Sequence, residues 1–181
     1  MEALYIIGGY LLVCAAIYCF MALRSRRNGR LPIPPAPLYY ILSFLWGFPV
    51  TLAGCAAALV LRLAGRRPEK KGYNWYFPLK KATWGLCLGI FAFVPERCSG
   101  SLAAHEHGHG IQNAWFGPFM PFVVIIPSAV RFWIRTFRSD VQGRTLKRRY
   151  DDIWFEGTAT LNGERAVSAA GREQNRPERT D

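Results

Sequence analysis

The chain has 181 residues, enough for one compact unit and too few for two full domains. Hydrophobic residues make up 51% and charged residues 19%, which excludes a disordered polymer. The net charge of +11 points to an anionic partner, and the basic residues flank clumped apolar runs, so lipid headgroups are the expected partner rather than nucleic acid.

Residues 3–23 are an uncharged apolar run of 21 residues, followed by Arg24, Arg26, Arg27 and Arg30. It is long enough to cross a bilayer, and it lacks the basic n-region of a cleavable signal, so a retained membrane helix is expected. The proline-rich segment 31–37 cannot continue that helix and reads as an extended connector. Residues 38–61 form a second apolar stretch broken by Gly47, Pro49 and Gly54, either a kinked span or a re-entrant hairpin. The basic, aromatic stretch after it suits the headgroup region.

Residues 84–94 read as a short strand or hairpin. Ser99 to Ser101 supply caps for a helix over 102–114, and Gly117-Pro118 ends it. Residues 119–134 are apolar but carry Pro121 and Pro127, which suggests a buried or interfacial helix. The segment 131–149 holds seven basic residues and suits either water or anionic lipid. A helical pattern covers 150–165, and a polar tail from residue 170 is expected to be disordered. The five cysteines, an odd number with no CxxC pair, read as buried thiols rather than a disulfide framework.

All three histidines lie in His105-Glu106-His107-Gly108-His109. On a helix, His105 and His109 are four apart, share one face and can grip a single zinc ion. Glu106 sits beside the first ligand and is placed to act as general base toward a water attacking a carbonyl. Chance alone predicts roughly 0.002 such matches in a chain of this composition. His107 falls on the far side of the helix and reads as a supporting or surface residue.

A catalytic zinc needs a third protein ligand. Glu156 is the choice from the residues, because Gly157 and Ala159 would let its helix pack closely on the histidine helix. Asp152, Asp151, Glu164 and Glu96 are the competitors, and Asp152 is the expected acceptor for a ligand imidazole N–H.

The HEHGH motif with a distant WFEGTA helix resembles the gluzincin pattern of zinc metallopeptidases. The order GLCLGIFAFV, HEHGHGIQ, GPFMPFVVIIPS and IWFEGTATLNG resembles a group of small uncharacterised bacterial membrane proteins over about residues 44–165. The resemblance implies His105 and His109 as ligands, Glu106 as base and Glu156 as third ligand. Membrane gluzincins of the prenyl-protein endopeptidase type carry an orienting aspartate four residues after that glutamate; here Thr160 stands there.

The expected architecture is therefore a mainly α membrane protein. Residues 1–64 form two N-terminal apolar membrane segments with the proline-rich connector. Residues 65–169 form a minimal zincin-like layer, with a short strand or hairpin and two packed active-site helices. Residues 170–181 form the tail. The expected activity is peptide-bond hydrolysis on a peptide or protein substrate, with zinc as cofactor, at the cell membrane. The basic clusters at 24–30, 66–71 and 131–149 favour the cytoplasmic side. A non-catalytic zinc protein and a metal-free membrane adaptor are the competing readings.

Overall fold

The computed structural model of the chain describes residues 2–138 and 152–174. The first element, α1 (Glu2–Asn28), has no proline to break it and is 27 residues long. At 1.5 Å per residue it measures about 40 Å, more than the hydrocarbon core of a bilayer. It is long and apolar enough to cross a membrane. Most of its apolar side chains, including Ile7, Leu11, Leu12 and Leu23, are exposed.

The second apolar stretch is not one straight helix. It folds as α2 (Ala36–Ile41), a π-helical turn over Leu42–Trp46, and α3 (Phe48–Leu63). The two arms meet at 95° around Gly47. A Cβ at Gly47 would run into the Asn113 side chain, so the break is held by close packing as well as by Pro49. The expected pair of N-terminal membrane segments is thus realised as one long helix and one bent pair; a second straight span is not seen.

The sheet is larger than the expected short strand or hairpin. Strands β1 (Glu69–Lys71) and β2 (Asn74–Leu79) form one hairpin, and β3 (Leu86–Leu88) and β4 (Phe91–Pro95) form another. The spatial order is β1-β2-β4-β3, with β2 and β4 parallel in the centre and β3 at an edge. Gly72 and Gly89 turn the two hairpins at φ +59° and +67°, where a Cβ is strained. Side chains alternate across the pleat. Phe77 and Phe93 pack on Ala58 of α3, while Tyr76, Ala92 and Val94 meet Ala103 of the next helix.

That helix, α4 (Gly100–Phe116), starts at Ser99, whose hydroxyl accepts the Leu102 N–H, and stops at Gly117, φ +54°. A 3-10 turn (Gly117–Phe119) and a π turn (Pro121–Ile125) then lead into α5 (Ile126–Thr136). The final helix, α6 (Trp154–Gln174), runs past residue 170, where the polar tail was expected to begin. Residues 175–181 and most of the basic 131–149 segment lie outside the described residues.

α4 and α6 run antiparallel and nearly touch. A Cβ on Gly108 would collide with the Ala159 carbonyl, and one on Gly163 with the Ala104 carbonyl. Small residues on both helices therefore permit a backbone approach that larger side chains would prevent. The main core lies between α4, α6 and the N-terminal helices, around Tyr39, Ile111, Phe116, Met120 and Phe155.

Candidate metal centre

The close approach of α4 and α6 brings His105, His109 and Glu156 together. Each offers one ligand atom, and the three atoms lie within 4.8 Å of one another. His105 Nε2 and His109 Nε2 are 3.1 Å apart. Glu156 Oε2 is 3.2 Å from the first and 3.4 Å from the second. Glu156 is fully buried and both imidazoles are largely covered. Among the described residues this is the one such group of histidine, cysteine and carboxylate side chains that could hold a metal ion.

The far nitrogens of both rings are occupied. His109 Nδ1 is 2.8 Å from Gln112 Oε1, and the Gln112 amide NH2 donates to the Phe155 carbonyl at 2.6 Å. With its amide so oriented, Gln112 can only accept, so the proton sits on His109 Nδ1. His105 Nδ1 is 2.9 Å from Thr160 Oγ1, whose own proton is directed to the Glu156 carbonyl at 3.3 Å. That hydroxyl accepts from His105 by the same logic. Both Nε2 atoms are then turned toward Glu156, the ring orientation metal-binding imidazoles need.

The charges are tightly coupled. Burial disfavours the ionised form of Glu156, but hydrogen bonds from His105, His109 and Ser128 outweigh it and hold the carboxyl below its ordinary range. Burial likewise opposes charge on His109, but the Glu156 hydrogen bond and the Glu106 and Glu156 charges push it up to about 9. A positive charge is thus favoured between these residues, and a metal ion satisfies the same requirement.

Glu106 lies beside the cluster and is not a member of it. Its carboxylate is buried, Oε2 has no hydrogen-bond partner, and burial raises its pKa against the pull of His109 and His105. Gly85, in the β2–β3 connection, covers it so closely that a Cβ there would strike Oε1. His105, Glu106 and His109 all border a cavity of about 790 Å³ whose other walls include Trp84, Leu86, Met120, Val124, Phe132 and Trp133.

Two expectations need correction. Asp152 does not accept a ligand N–H: it is exposed before the start of α6, and Thr160 and Gln112 hold the two Nδ1 atoms. His107 is buried, not a surface residue; its Nδ1 meets the Tyr76 hydroxyl at 3.2 Å and locks α4 to the sheet. Of the competing carboxylates, Glu96 and Glu164 are exposed, and Asp151 lies outside the described residues. Thr160, Gln112, Ser128 and Gly85 were not singled out as site residues from sequence, although Gln112 follows His109 by three and Thr160 follows Glu156 by four, both on the ligand's own helix face.

No protein-family model, curated protein or solved structure matches the chain.

Proposed function

We propose that the protein is a membrane-anchored zinc metallopeptidase that hydrolyses peptide bonds. The observation that carries this reading is Glu106, a buried carboxylate with an unpartnered oxygen, set beside a His105/His109/Glu156 cluster on the wall of a largely apolar cavity. The donor set fits zinc. Tetrahedral zinc bonded at about 2.0–2.1 Å separates its ligand atoms by about 3.3 Å, close to the 3.1, 3.2 and 3.4 Å found. A set of three, rather than four, among the described residues supports an open coordination position.

His105, His109 and Glu156 would hold the ion, which when bound supplies Lewis acidity toward a water and a carbonyl oxygen. Glu106 takes the proton from the attacking water and delivers it to the amine as the C–N bond breaks. Its raised pKa suits a group that must both accept and return a proton. Thr160 and Gln112 keep the imidazoles in register, and Gly85 leaves the space the Glu106 carboxylate occupies. Leu86 and Cys87 of edge strand β3 also line the cavity, so an extended peptide could pair with that edge through backbone hydrogen bonds.

Anchoring is assigned to α1, and the site to the cytoplasmic side. The Ser25 hydroxyl is 3.0 Å from that of Thr158, and the Leu31 N–H donates to Asn162. These bonds support an arrangement in which the arginine-rich end of α1 and the metal-binding helix share one side of the membrane.

The deciding experiment compares wild type with Glu106→Gln for bound zinc and for cleavage of a fluorogenic peptide library. The variant should keep its zinc and lose about 100-fold or more in turnover. Undiminished turnover excludes Glu106 as base, and absence of zinc from the wild type leaves the metal-free adaptor.

A further inference from the structure

Helix α5 carries its polarity the wrong way round for a helix bathed in water. Ile126, Val130, Trp133 and Ile134 recur at helical spacing and are exposed, as is Phe137 at its C-cap. Trp133 is 69% exposed, as is Phe122 just upstream. Ser128, Arg131 and Arg135 are instead half-buried on the inner side. A water-facing helix shows the opposite pattern, and a continuous exposed apolar stripe of this kind marks a contact surface.

We propose that α5 lies in the membrane interface with this stripe against lipid, so that the cleft it walls opens to the bilayer. Three further observations favour lipid as the occupant. First, α1 supplies a depth scale. Tyr18 packs against Phe116 and Phe119, the end of α4 and the turn leading to α5, its ring centroid 5.6 and 5.3 Å from theirs. Ser25, seven residues and about 10 Å further along α1, meets Thr158, two residues from Glu156. With α1 across the bilayer, the end of α4 reaches the hydrocarbon while the metal centre stays level with Arg24 to Arg27, among the headgroups.

Second, the chain turns through 116° between the helical segment ending at Phe119 and the one starting at Pro121. α4 descends toward the hydrocarbon, so α5 returns close to the plane of the interface. Third, Arg138 is exposed just beyond its far end, where a rising helix brings a guanidinium group to anionic headgroups. Trp84 and Trp133, both exposed, border the cleft, and indoles favour the interface. A substrate would reach His105, His109 and Glu156 from the membrane.

This inference rests on α1 spanning the bilayer, and its test separates the two. Full-length protein carrying 5-fluorotryptophan is placed in nanodiscs of phosphatidylcholine and phosphatidylglycerol. Resonances are assigned with Trp46→Phe, Trp75→Phe and Trp133→Phe. Broadening is read with a nitroxide on the lipid acyl chain and, separately, with a water-soluble nickel chelate. Trp46 touches Tyr10 within α1 and reports the span, whereas Trp75 lies on β2 beside Lys70 and reports water. The lipid nitroxide should broaden Trp46 and Trp133, and the chelate should broaden Trp75. If Trp46 responds to lipid while Trp133 responds to the chelate, the span stands and the α5 proposal is overturned. If neither Trp46 nor Trp133 responds to lipid, the anchoring assignment fails and the proposal falls with it.

Discussion

Thr160 Oγ1 lies 2.9 Å from His105 Nδ1 and bridges it to the backbone carbonyl of Glu156, so one hydroxyl ties together two of the three residues that could hold a metal ion. As an uncharged hydroxyl it can hold the His105 ring in place without adding charge. Removing the hydroxyl while keeping the shape isolates that role. Thr160→Val should weaken zinc binding by about 10–100-fold, and Thr160→Ser should restore most of it. Competition against a chelator of known affinity measures both. Equal affinity in the valine variant would show that His105 needs no such partner.

Gly85 and Glu106 form the second dependency. A Cβ at position 85 would occupy the space of the Glu106 carboxylate, and the buried carboxylate has little room to yield. Gly85→Ala should therefore leave the three candidate ligands intact and move the proposed base. Displacement of a reacting group by about 1 Å costs about 100-fold in rate. Zinc content should be unchanged and kcat reduced, with KM little altered. A variant with wild-type kcat would remove Gly85 from the account of catalysis.

The legible parts of this molecule were those set by local geometry. His105 and His109 pair because residues four apart share a helix face, whatever surrounds them. Glu156 was reachable because Ala159 sits beside it, and a small residue there lets the helices meet through Gly108. Asp152 failed because of where the helix starts, not its spacing, for it too is four residues from Glu156. It precedes α6, whereas Thr160 stands one turn beyond Glu156 and so returns to the same face. The β1–β2 hairpin escaped notice because Trp75, Tyr76 and Phe77 suit a headgroup layer and a strand equally well, and Pro78 argues against a central strand. Its partner β4 lies 16 positions away in register, Trp75 against Phe91, and no local pattern encodes that pairing.

His107 gives the fold a dependence on pH. Burial lowers its pKa from the ordinary 6.5 to about 4, so the folded protein keeps this imidazole neutral in mild acid. The unfolded chain takes up the proton near 6.5. Stability from this residue is therefore complete above about 6.5, declines as pH falls through the window, and levels off below about 4. The gap corresponds to about 3 kcal/mol. His107→Gln should flatten that part of the stability profile, measured by denaturant unfolding in detergent between the two limits. An unchanged slope would assign the acid sensitivity to other groups.

The hydrogen bonds at Ser25 and Leu31 bear on sidedness. Had Arg24 to Arg30 lain across the membrane from the candidate metal centre, Ser25 could not meet Thr158, two residues from Glu156, at 3.0 Å. Asn28 is exposed at the end of α1, beside those bonds, and so reports the side on which α6 sits. Short basic segments favour the cytoplasm, so the proposed anchoring predicts Asn28 and the candidate metal centre on the inner side. Asn28→Cys, in a background whose native cysteines are replaced, should resist a membrane-impermeant maleimide in sealed cells and react once the cells are opened. Ready labelling in sealed cells would put both the cluster and the metal centre outside. Because the Ser25 contact ties them, it would reverse the assigned side without separating α1 from the site.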